Sequence, residues 1–384
     1  MIRTWRGRVP HATGMVLGGW LIASGCGGGD ESRLGRAAFD PDSVPDAYLH
    51  STAALMWPGA TRAFQVTASG DLYNGEWTVR IRPTVEGEAA GPPRTMAFEG
   101  RWLPHLRWAR AGRDVRWDFS AVALPEPVPR DTGLLVSLVA RATNAGRVAR
   151  DAAIAMALEP PEPHPIFVAF DAPETPSPPF RWGAGTSSDT VYGWSREIGE
   201  GARLQASWRL APGESRTLRL ILPTYPTTAR TLARAAGRPH GRWIGETRRY
   251  WESELERATR FELADPEVED ALKAARIVML SCRERRGSRW VPIGGPFQYR
   301  DVWLRDGARM AHALAIAGHT AVARQLVAGL ADFQWPQGAF LSQRGQPDGT
   351  GQALWAFQQV LLRPAPADSL SRYLDAAVRA WRWF

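Results

Sequence analysis

Two short clusters in the second half of the chain combine carboxylates, a guanidinium and carboxamides with tryptophan. The first is the run 301–307, Asp-Val-Trp-Leu-Arg-Asp-Gly; the second is the run 346–352, Gln-Pro-Asp-Gly-Thr-Gly-Gln, with Trp355 close behind it. Guanidinium and carboxylate groups make paired hydrogen bonds to neighbouring hydroxyls, and an aromatic ring packs on apolar C–H faces. Together these residue types indicate a site for a neutral, polyhydroxylated ring.

The same clusters carry a resemblance to a known family. The motif Trp-x-Arg-Asp-Gly at 303–307, followed by a helix pair and by Asp-Gly-x-Gly-Gln at 348–352, resembles the start of the catalytic (α/α)6 barrel of glucoamylase-like glycoside hydrolases. It is also similar to related six-hairpin glycosidases and phosphorylases, and the resemblance covers residues 265–384. It implies a set of residues that bind the sugar in and around subsite −1: Trp303, Arg305, Asp306, Asp348 and Gln352.

Four of these five positions also have a purely structural interpretation. Asp306 fits a helix N-cap, because a helix-forming run follows it. Arg305 fits a surface ion pair with Asp301, and Trp303 fits the core because Val and Leu flank it. Asp-Gly at 348–349 is first of all a turn signal. The sequence leaves both interpretations open.

The resemblance implies an activity on α-glucosidic oligo- or polysaccharides. Glycoside hydrolysis uses two carboxylates that flank the scissile bond, and in the resembled family both lie in sequence beyond the position of Phe384. We therefore expect an N-terminal part of a longer hydrolase that binds sugar weakly and turns over nothing by itself. The alternatives are a glycoside phosphorylase of related fold and a glycan-binding surface lipoprotein without catalysis.

Other classes of site lack their sequence patterns. The chain has 2 cysteines and 7 histidines, without a Cys-x-x-Cys or His-Glu-x-x-His motif, so we expect no metal site and no cofactor. Neither a Gly-x-Ser-x-Gly elbow nor a phosphate loop is present. The net charge is +8, but Lys273 is the only lysine, and arginines are spread along the chain. Without a concentrated basic stripe, we expect no nucleic-acid partner.

The N-terminus has the pattern of an export signal. Three arginines within the first eight residues precede an apolar stretch at 13–23, which is too short to span a bilayer. The following Ala-Ser-Gly-Cys at 23–26 resembles a bacterial lipoprotein cleavage box. We predict a signal peptide over 1–25, lipidation at Cys26 and a tether over 26–44, hence a protein anchored by lipid to the bacterial cell envelope. The alternative is an ordinary secretory signal with an incidental cysteine.

Residues 45–226 have the pattern of an antiparallel β-sandwich. Asn-Gly at 74–75 is a hairpin turn signal, and 77–82 and 114–119 alternate at period two. The continuous apolar run 134–140 predicts a central strand. The tryptophans of this region predict core positions, at Trp57, Trp77, Trp102, Trp108, Trp117 and Trp208.

The pattern becomes helical near residue 227. We predict a helical linker over 227–264 and a strong helix start at Asp-Pro-Glu 265–267. A loop is predicted over 285–299, and helices over 307–317, 320–333, 351–362 and 367–383. About five helices of a toroid that needs twelve are present, so 265–384 is predicted to be an incomplete (α/α)6 toroid. The predicted class is therefore β + α multidomain.

Overall fold

A computed structural model describes residues 53–125, 133–160, 181–183, 186–196, 199–200, 203–295, 300–342, 346, 348–361 and 371–384. The predicted signal peptide, Cys26 and the tether lie outside the described residues. Within the described part, every helix is too short or too polar to cross a membrane.

Nineteen strands lie in the described part of the chain. In order they are β1 Ala54–Leu55, β2 Phe64–Val66, β3 Leu72–Tyr73, β4 Thr78–Val85, β5 Glu88–Ala89, β6 Thr95–Glu99, β7 Leu103–Ala111, β8 Val115–Pro125, β9 Leu134–Asn144, β10 Arg150–Glu159, β11 Trp182–Gly183, β12 Thr190–Val191, β13 Gly193–Ser195, β14 Gly199–Glu200, β15 Arg203–Leu210, β16 Ser215–Pro223, β17 Thr227–Thr228, β18 Arg283–Arg286 and β19 Arg289–Pro292.

Two large sheets share one apolar core. The eight-stranded sheet has the order β1-β2-β3-β4-β10-β15-β14, with β5 also paired to β4, and the seven-stranded sheet has the order β11-β13-β16-β9-β8-β7-β6. Of these pairings only β11–β13 is parallel. The predicted central strand is confirmed, since β9 lies between β8 and β16. Side chains from both sheets, such as Ile81 and Leu138, meet in one cluster.

Local sequence explains where several strands turn. The Asn74 side-chain oxygen accepts hydrogen bonds from the backbone of Glu76 and Trp77, and Gly75 has a φ of 94°, so this turn joins β3 to β4 as predicted. Four of the six predicted core tryptophans are buried, at Trp57, Trp77, Trp108 and Trp117. Trp102 and Trp208 are only half-buried.

Seven α-helices follow within the described residues. They are α1 Ala229–Ala236, α2 His240–Glu256, α3 Pro266–Ser281, α4 Leu304–Ile316, α5 Thr320–Leu330, α6 Gly349–Ala356 and α7 Ser371–Trp383. A 3-10 turn at Ala331–Phe333 extends α5, and a π-helical stretch at Phe357–Leu361 extends α6. The predicted start of α3 is confirmed, because the Asp265 carboxylate accepts from the Glu267 backbone N–H at 2.8 Å.

The helices build a second apolar core, and α2 joins it to the first. Trp243 of α2 belongs to the core of the sheets, whereas Trp251, two turns later, belongs to the core of the helices. Both side chains are buried. The architecture is thus β + α, as predicted at that level; the predicted domain boundaries stay predictions.

The predicted loop over 285–299 is wrong in its first part. Arg283–Arg286 and Arg289–Pro292 form the hairpin β18–β19. Trp290 lies beside two guanidinium groups, those of Arg283 and Arg285, at 4.9 and 5.3 Å from the ring. The glycine Gly329 of α5 lets the backbone of Trp290 approach closely, since a Cβ there would lie 2.2 Å from the Trp290 oxygen. Tertiary packing therefore stabilises this hairpin.

Candidate functional site

The first cluster of the sequence forms the start of α4. Trp303 is the N-cap residue, and its carbonyl oxygen accepts from the Gly307 backbone N–H at 2.8 Å. Val302 and Leu304 are buried on either side of it. This anchoring leaves Trp303 half-buried and turns Arg305 toward solvent.

The second cluster forms the start of α6, and it packs directly on the first. A Cβ at Gly349 would lie 2.7 Å from Leu304 Cδ1 and 2.8 Å from the Phe340 carbonyl oxygen, so the close approach requires glycine. The buried Thr350 hydroxyl accepts from the Phe340 backbone N–H at 3.0 Å. The two polar clusters are therefore brought together by the packing of two helix N-termini.

An ion pair links the two clusters. Arg305 donates through Nη2 to Asp348 Oδ2, and its Nε lies 3.2 Å from the same oxygen. This hydrogen bond raises the pKa of the Arg305 guanidinium. Asp348 is the N-cap residue of α6 but makes no side-chain capping bond, which leaves its carboxylate for the arginine. Both side chains are largely exposed, so the pair orients groups at the surface and adds little to stability.

Two structural alternatives for this cluster are wrong. Asp306 is not an N-cap: it lies exposed in the first turn of α4, after the cap at Trp303. Arg305 does not pair with Asp301. Instead, Asp301 Oδ1 accepts from Arg286 Nη2 at 3.3 Å and from the Val302 backbone N–H at 2.8 Å.

The remaining predicted residues lie around the ion pair. Gln352 is half-buried one turn into α6, where its backbone N–H bonds to the Asp348 carbonyl at 3.1 Å. Trp355 lies about one turn further along α6. The Arg309 guanidinium is 4.6 Å from the centre of its ring, and the His312 ring meets it edge-on at 4.8 Å between ring centres. Trp355 is thus already packed against α4. The role of these side chains in sugar binding stays a prediction.

Sequence reasoning missed a buried carboxylate in the hairpin β18–β19. Glu284 of β18 accepts from Arg286 Nε at 3.0 Å and from Arg300 Nη2 at 2.8 Å. Since Arg286 also reaches Asp301, Glu284 connects β18 to residues 300 and 301, which precede α4. The alternating charges of the run 283–286 were the available signal, although they resemble an ordinary solvated strand.

The described residues contain no group of three or more His, Cys, Asp or Glu side chains placed to hold a metal ion. The chemistry of this surface is that of hydrogen bonding. It presents one anchored guanidinium, two carboxylates and a half-buried indole beside the joined starts of α4 and α6.

Comparisons with known proteins reveal a likeness of fold. No family model matches the chain, and no curated protein matches it. A solved structure named "Putative kojibiose phosphorylase from human microbiome" matches over 90% of this chain and 58% of its own, with 7% identity and a TM-score of 0.52. A bacterial glucoamylase complexed with acarbose matches over 86% and 67%, with 9% identity and a TM-score of 0.42. A glycosyl hydrolase of the gh92 family matches over 83% and 48%, with 13% identity and a TM-score of 0.24.

Of these three, the first alone has a TM-score above 0.5, so it alone supports the fold of this chain. The resemblance seen in the sequence motifs is confirmed at the level of the fold, by that one structure. The chain spans 58% of the length of that first structure.

Proposed function

We propose that this chain is the N-terminal part of an exported glycoside hydrolase that acts on α-glucosidic oligo- or polysaccharides. In this proposal Trp303, Arg305 and Asp306 bind the sugar of subsite −1, and Asp348 and Gln352 assist. The general acid and base come from a further part of the protein. The observation that carries the proposal is the Arg305–Asp348 ion pair, which joins the two predicted sugar-binding motifs at one surface.

The chemistry of that surface supports a sugar ligand. An arginine fixed by one carboxylate keeps N–H groups in a known direction, and the neighbouring Asp306 carboxylate accepts hydroxyl protons. A fixed donor next to a carboxylate acceptor distinguishes sugars that differ in the orientation of one hydroxyl. Trp303 is half-buried beside them and offers an indole ring to a sugar face.

We further propose that α3 to α7 are the first helices of an (α/α)6 toroid. Apolar side chains remain exposed on α3, including Val268 and Val278, and on α7, including Leu374 and Trp381. Soluble proteins rarely leave such faces uncovered. Exposed faces on the first and last of these helices are expected if further hairpins pack between them. The 58% coverage of the first solved structure agrees with this.

Sugar binding by the chain itself tests the site. We expect maltose or isomaltose to bind with a dissociation constant of about 1 mM or weaker, observed by ligand-detected NMR. Asp306→Asn should weaken binding by about tenfold, because a carboxylate that accepts two hydroxyl protons is lost. The matched control is Asp118→Asn, an exposed carboxylate of β8 that is paired with Arg116 at 2.8 Å. Equal binding by both variants would overturn the assignment, and release of glucose by the chain alone would contradict the proposed division of the active site.

A glycoside phosphorylase is the second candidate, and the first solved structure favours it because that protein is named a phosphorylase. A phosphorylase transfers the glycosyl group to phosphate, whereas a hydrolase transfers it to water. With the longer protein, dependence of sugar release on inorganic phosphate and formation of a sugar phosphate would decide for this candidate. Sugar release in phosphate-free buffer would decide for the hydrolase.

We propose that the protein is held at the bacterial envelope through a lipid on Cys26. The arginine-rich start, the short apolar stretch and the Ala-Ser-Gly-Cys box support this proposal. Mass spectrometry of the protein expressed in a bacterium should find a diacylglyceryl group on Cys26. Cys26→Ser should release the protein from the membrane fraction, and an unmodified Cys26 would count against the anchor.

A further inference from the structure

A chain of hydrogen bonds lies on the face of the seven-stranded sheet that α2 covers. Strand alternation directs His105 of β7, Ser120 of β8, Ser137 of β9 and Arg219 of β16 away from the shared core and toward this face. His240, the first residue of α2, lies over them and bonds to both serines.

The bonds are short and continuous from a carboxylate to a guanidinium. We call this set the α2 clasp. Its consecutive distances are 2.6 Å from Glu99 Oε2 to His105 Nδ1, 2.6 Å from His105 Nε2 to Ser120 Oγ, 2.7 Å from Ser120 Oγ to His240 Nε2, 2.9 Å from His240 Nδ1 to Ser137 Oγ and 3.0 Å from Ser137 Oγ to Arg219 Nε.

The two ends of the clasp fix the direction of every bond. An ionised carboxylate only accepts and a guanidinium only donates, so each link has one proton when both imidazoles are neutral. In that state Ser137 accepts from Arg219 and donates to His240 Nδ1. A proton added at His240 Nδ1 turns this acceptor into a donor, and the Ser137 hydroxyl proton loses its acceptor. An unpaired buried donor is costly.

The order Glu99–His105–Ser120 also resembles that of a nucleophilic serine with its base. The geometry argues against that use, because His240 Nε2 donates to the Ser120 oxygen from the side of α2. A substrate would have to displace the first turn of α2 to reach this serine. Ser120 therefore serves as a bridge between two imidazoles.

We propose that the α2 clasp is an acid-sensitive contact: neutral His240 holds the first turn of α2 on the sheet, and a proton on His240 releases it. The helix α2 carries Trp243 into the core of the sheets and Trp251 into the core of the helices. Release of its first turn thus loosens the joint between the two cores.

The charged groups around the clasp agree with release of α2 when His240 gains a proton. Both neighbouring carboxylates are already paired with arginines, Glu99 with Arg248 at 2.9 Å and Glu246 with Arg238 and Arg242. Neither carboxylate contacts His240. The titratable and charged groups around the clasp are Glu99 on β6, His105 and Arg107 on β7, Arg196 after β13, Arg219 on β16, Arg238 before α2, and Arg242, Glu246 and Arg248 on α2.

The pKa of His240 is lowered to about 4, chiefly by burial and to a smaller extent by the charges of His105 and Arg219. The ordinary value is 6.5. A histidine whose pKa is depressed by folding stabilises the closed state fully above its ordinary pKa, and that stabilisation is lost as pH falls toward the folded value. The clasp therefore weakens between pH 6.5 and pH 4.

Hydrogen exchange of the whole chain at pH 7.5 and pH 5 tests the clasp. After correction for the intrinsic exchange rate, the amides of residues 244–247, which bond to carbonyls of the first turn, should lose protection by up to about thirtyfold at pH 5, from the two pKa values of His240. The amides of β9 should keep theirs. Equal loss at β9, or unchanged protection of α2, would overturn the proposal.

Two further measurements keep the test independent of one variant. His240→Gln does not titrate, so its α2 protection should be the same at both pH values, whereas His312→Gln, on α4, should behave as the unaltered chain. An NMR titration of the His240 ring in the unaltered chain should give a pKa near 4. A pKa near 6.5 would overturn the clasp even if His240→Gln failed to fold.

Discussion

The sheet region encloses its apolar surface, whereas the helical region does not. Of twelve large apolar side chains that are exposed in the described residues, one, Val148, lies before residue 229, and eleven follow it. The sheets bury their inner faces against each other, but helices need neighbours on several sides. The candidate sugar site lies in the region that is less completely packed. The fold thus combines a β core that leaves few apolar side chains exposed with a helical part that leaves many exposed.

The largest effect is expected in the closed core. Trp77 is fully buried between the sheets, next to Phe64 and Tyr192. Trp77→Ala should lower the free energy of unfolding by about 4 kcal/mol, because it removes apolar burial and leaves a cavity. Denaturant unfolding measures this. Trp335→Ala is the control from the open region, where the side chain is 52% exposed, and it should leave stability unchanged. Similar losses of unfolding free energy in both variants would contradict the difference in packing between the sheet and helical regions.

A buried arginine joins the helical part, and its removal should have the next largest effect. Arg276 of α3 donates to the Leu255 oxygen at 2.9 Å and the Thr259 oxygen at 3.2 Å, and it contacts His319 Nε2 at 3.2 Å. Arg276→Ala should cost about 3 kcal/mol, since buried acceptors lose their donor.

The control for this joint is Arg216→Ala, because Arg216 makes an exposed pair with Glu214. Thermal unfolding should not separate it from the unaltered chain. If Arg276→Ala also unfolds at the same temperature as the unaltered chain, apolar packing alone holds α2, α3 and the α4–α5 turn together.

A smaller effect is expected at the start of α3. This helix has one exposed apolar face, so its first turn depends on local capping more than a buried helix would. Asp265→Ala should cost about 1 kcal/mol through loss of the bond to the Glu267 backbone. Asp265→Asn, which retains a side-chain oxygen, should recover most of it. A loss of 1 kcal/mol in both variants would show that charge, rather than capping, is responsible.

Local patterns predicted the elements that local interactions stabilise. Residues within each element account for three of them: the Asn-Gly turn before β4, the continuous apolar run of β9 and the cap at Asp265. The hairpin β18–β19 was not predicted, because all four residues of β18 are charged. Such a strand shows no alternation of apolar and polar side chains. Its packing partner, Gly329, lies far away in sequence.

The composition of the candidate site stays a prediction, whereas the ion pair between its two motifs could not be predicted from the sequence. The motifs named the residues, but the partner of Arg305 depended on how α6 packs on α4. Gly349 decides this by allowing Leu304 and the Phe340 oxygen to approach. No pattern within either cluster encodes that contact. For the same reason the α2 clasp, which joins β6, β7, β8, β9, β16 and α2, could not be predicted from sequence.

The smallest effect on stability is expected at the candidate site. Arg305 and Asp348 are exposed. Solvent screens the attraction between exposed charges, so such an ion pair adds little to the free energy of unfolding. Arg305→Gln should therefore leave the melting temperature unchanged while it weakens sugar binding. The double variant Arg305→Gln, Asp348→Asn should melt at the same temperature as well. A clear drop in melting temperature would mean that the pair holds α4 and α6 together, and the site would then have to be explained as a structural joint of the open region.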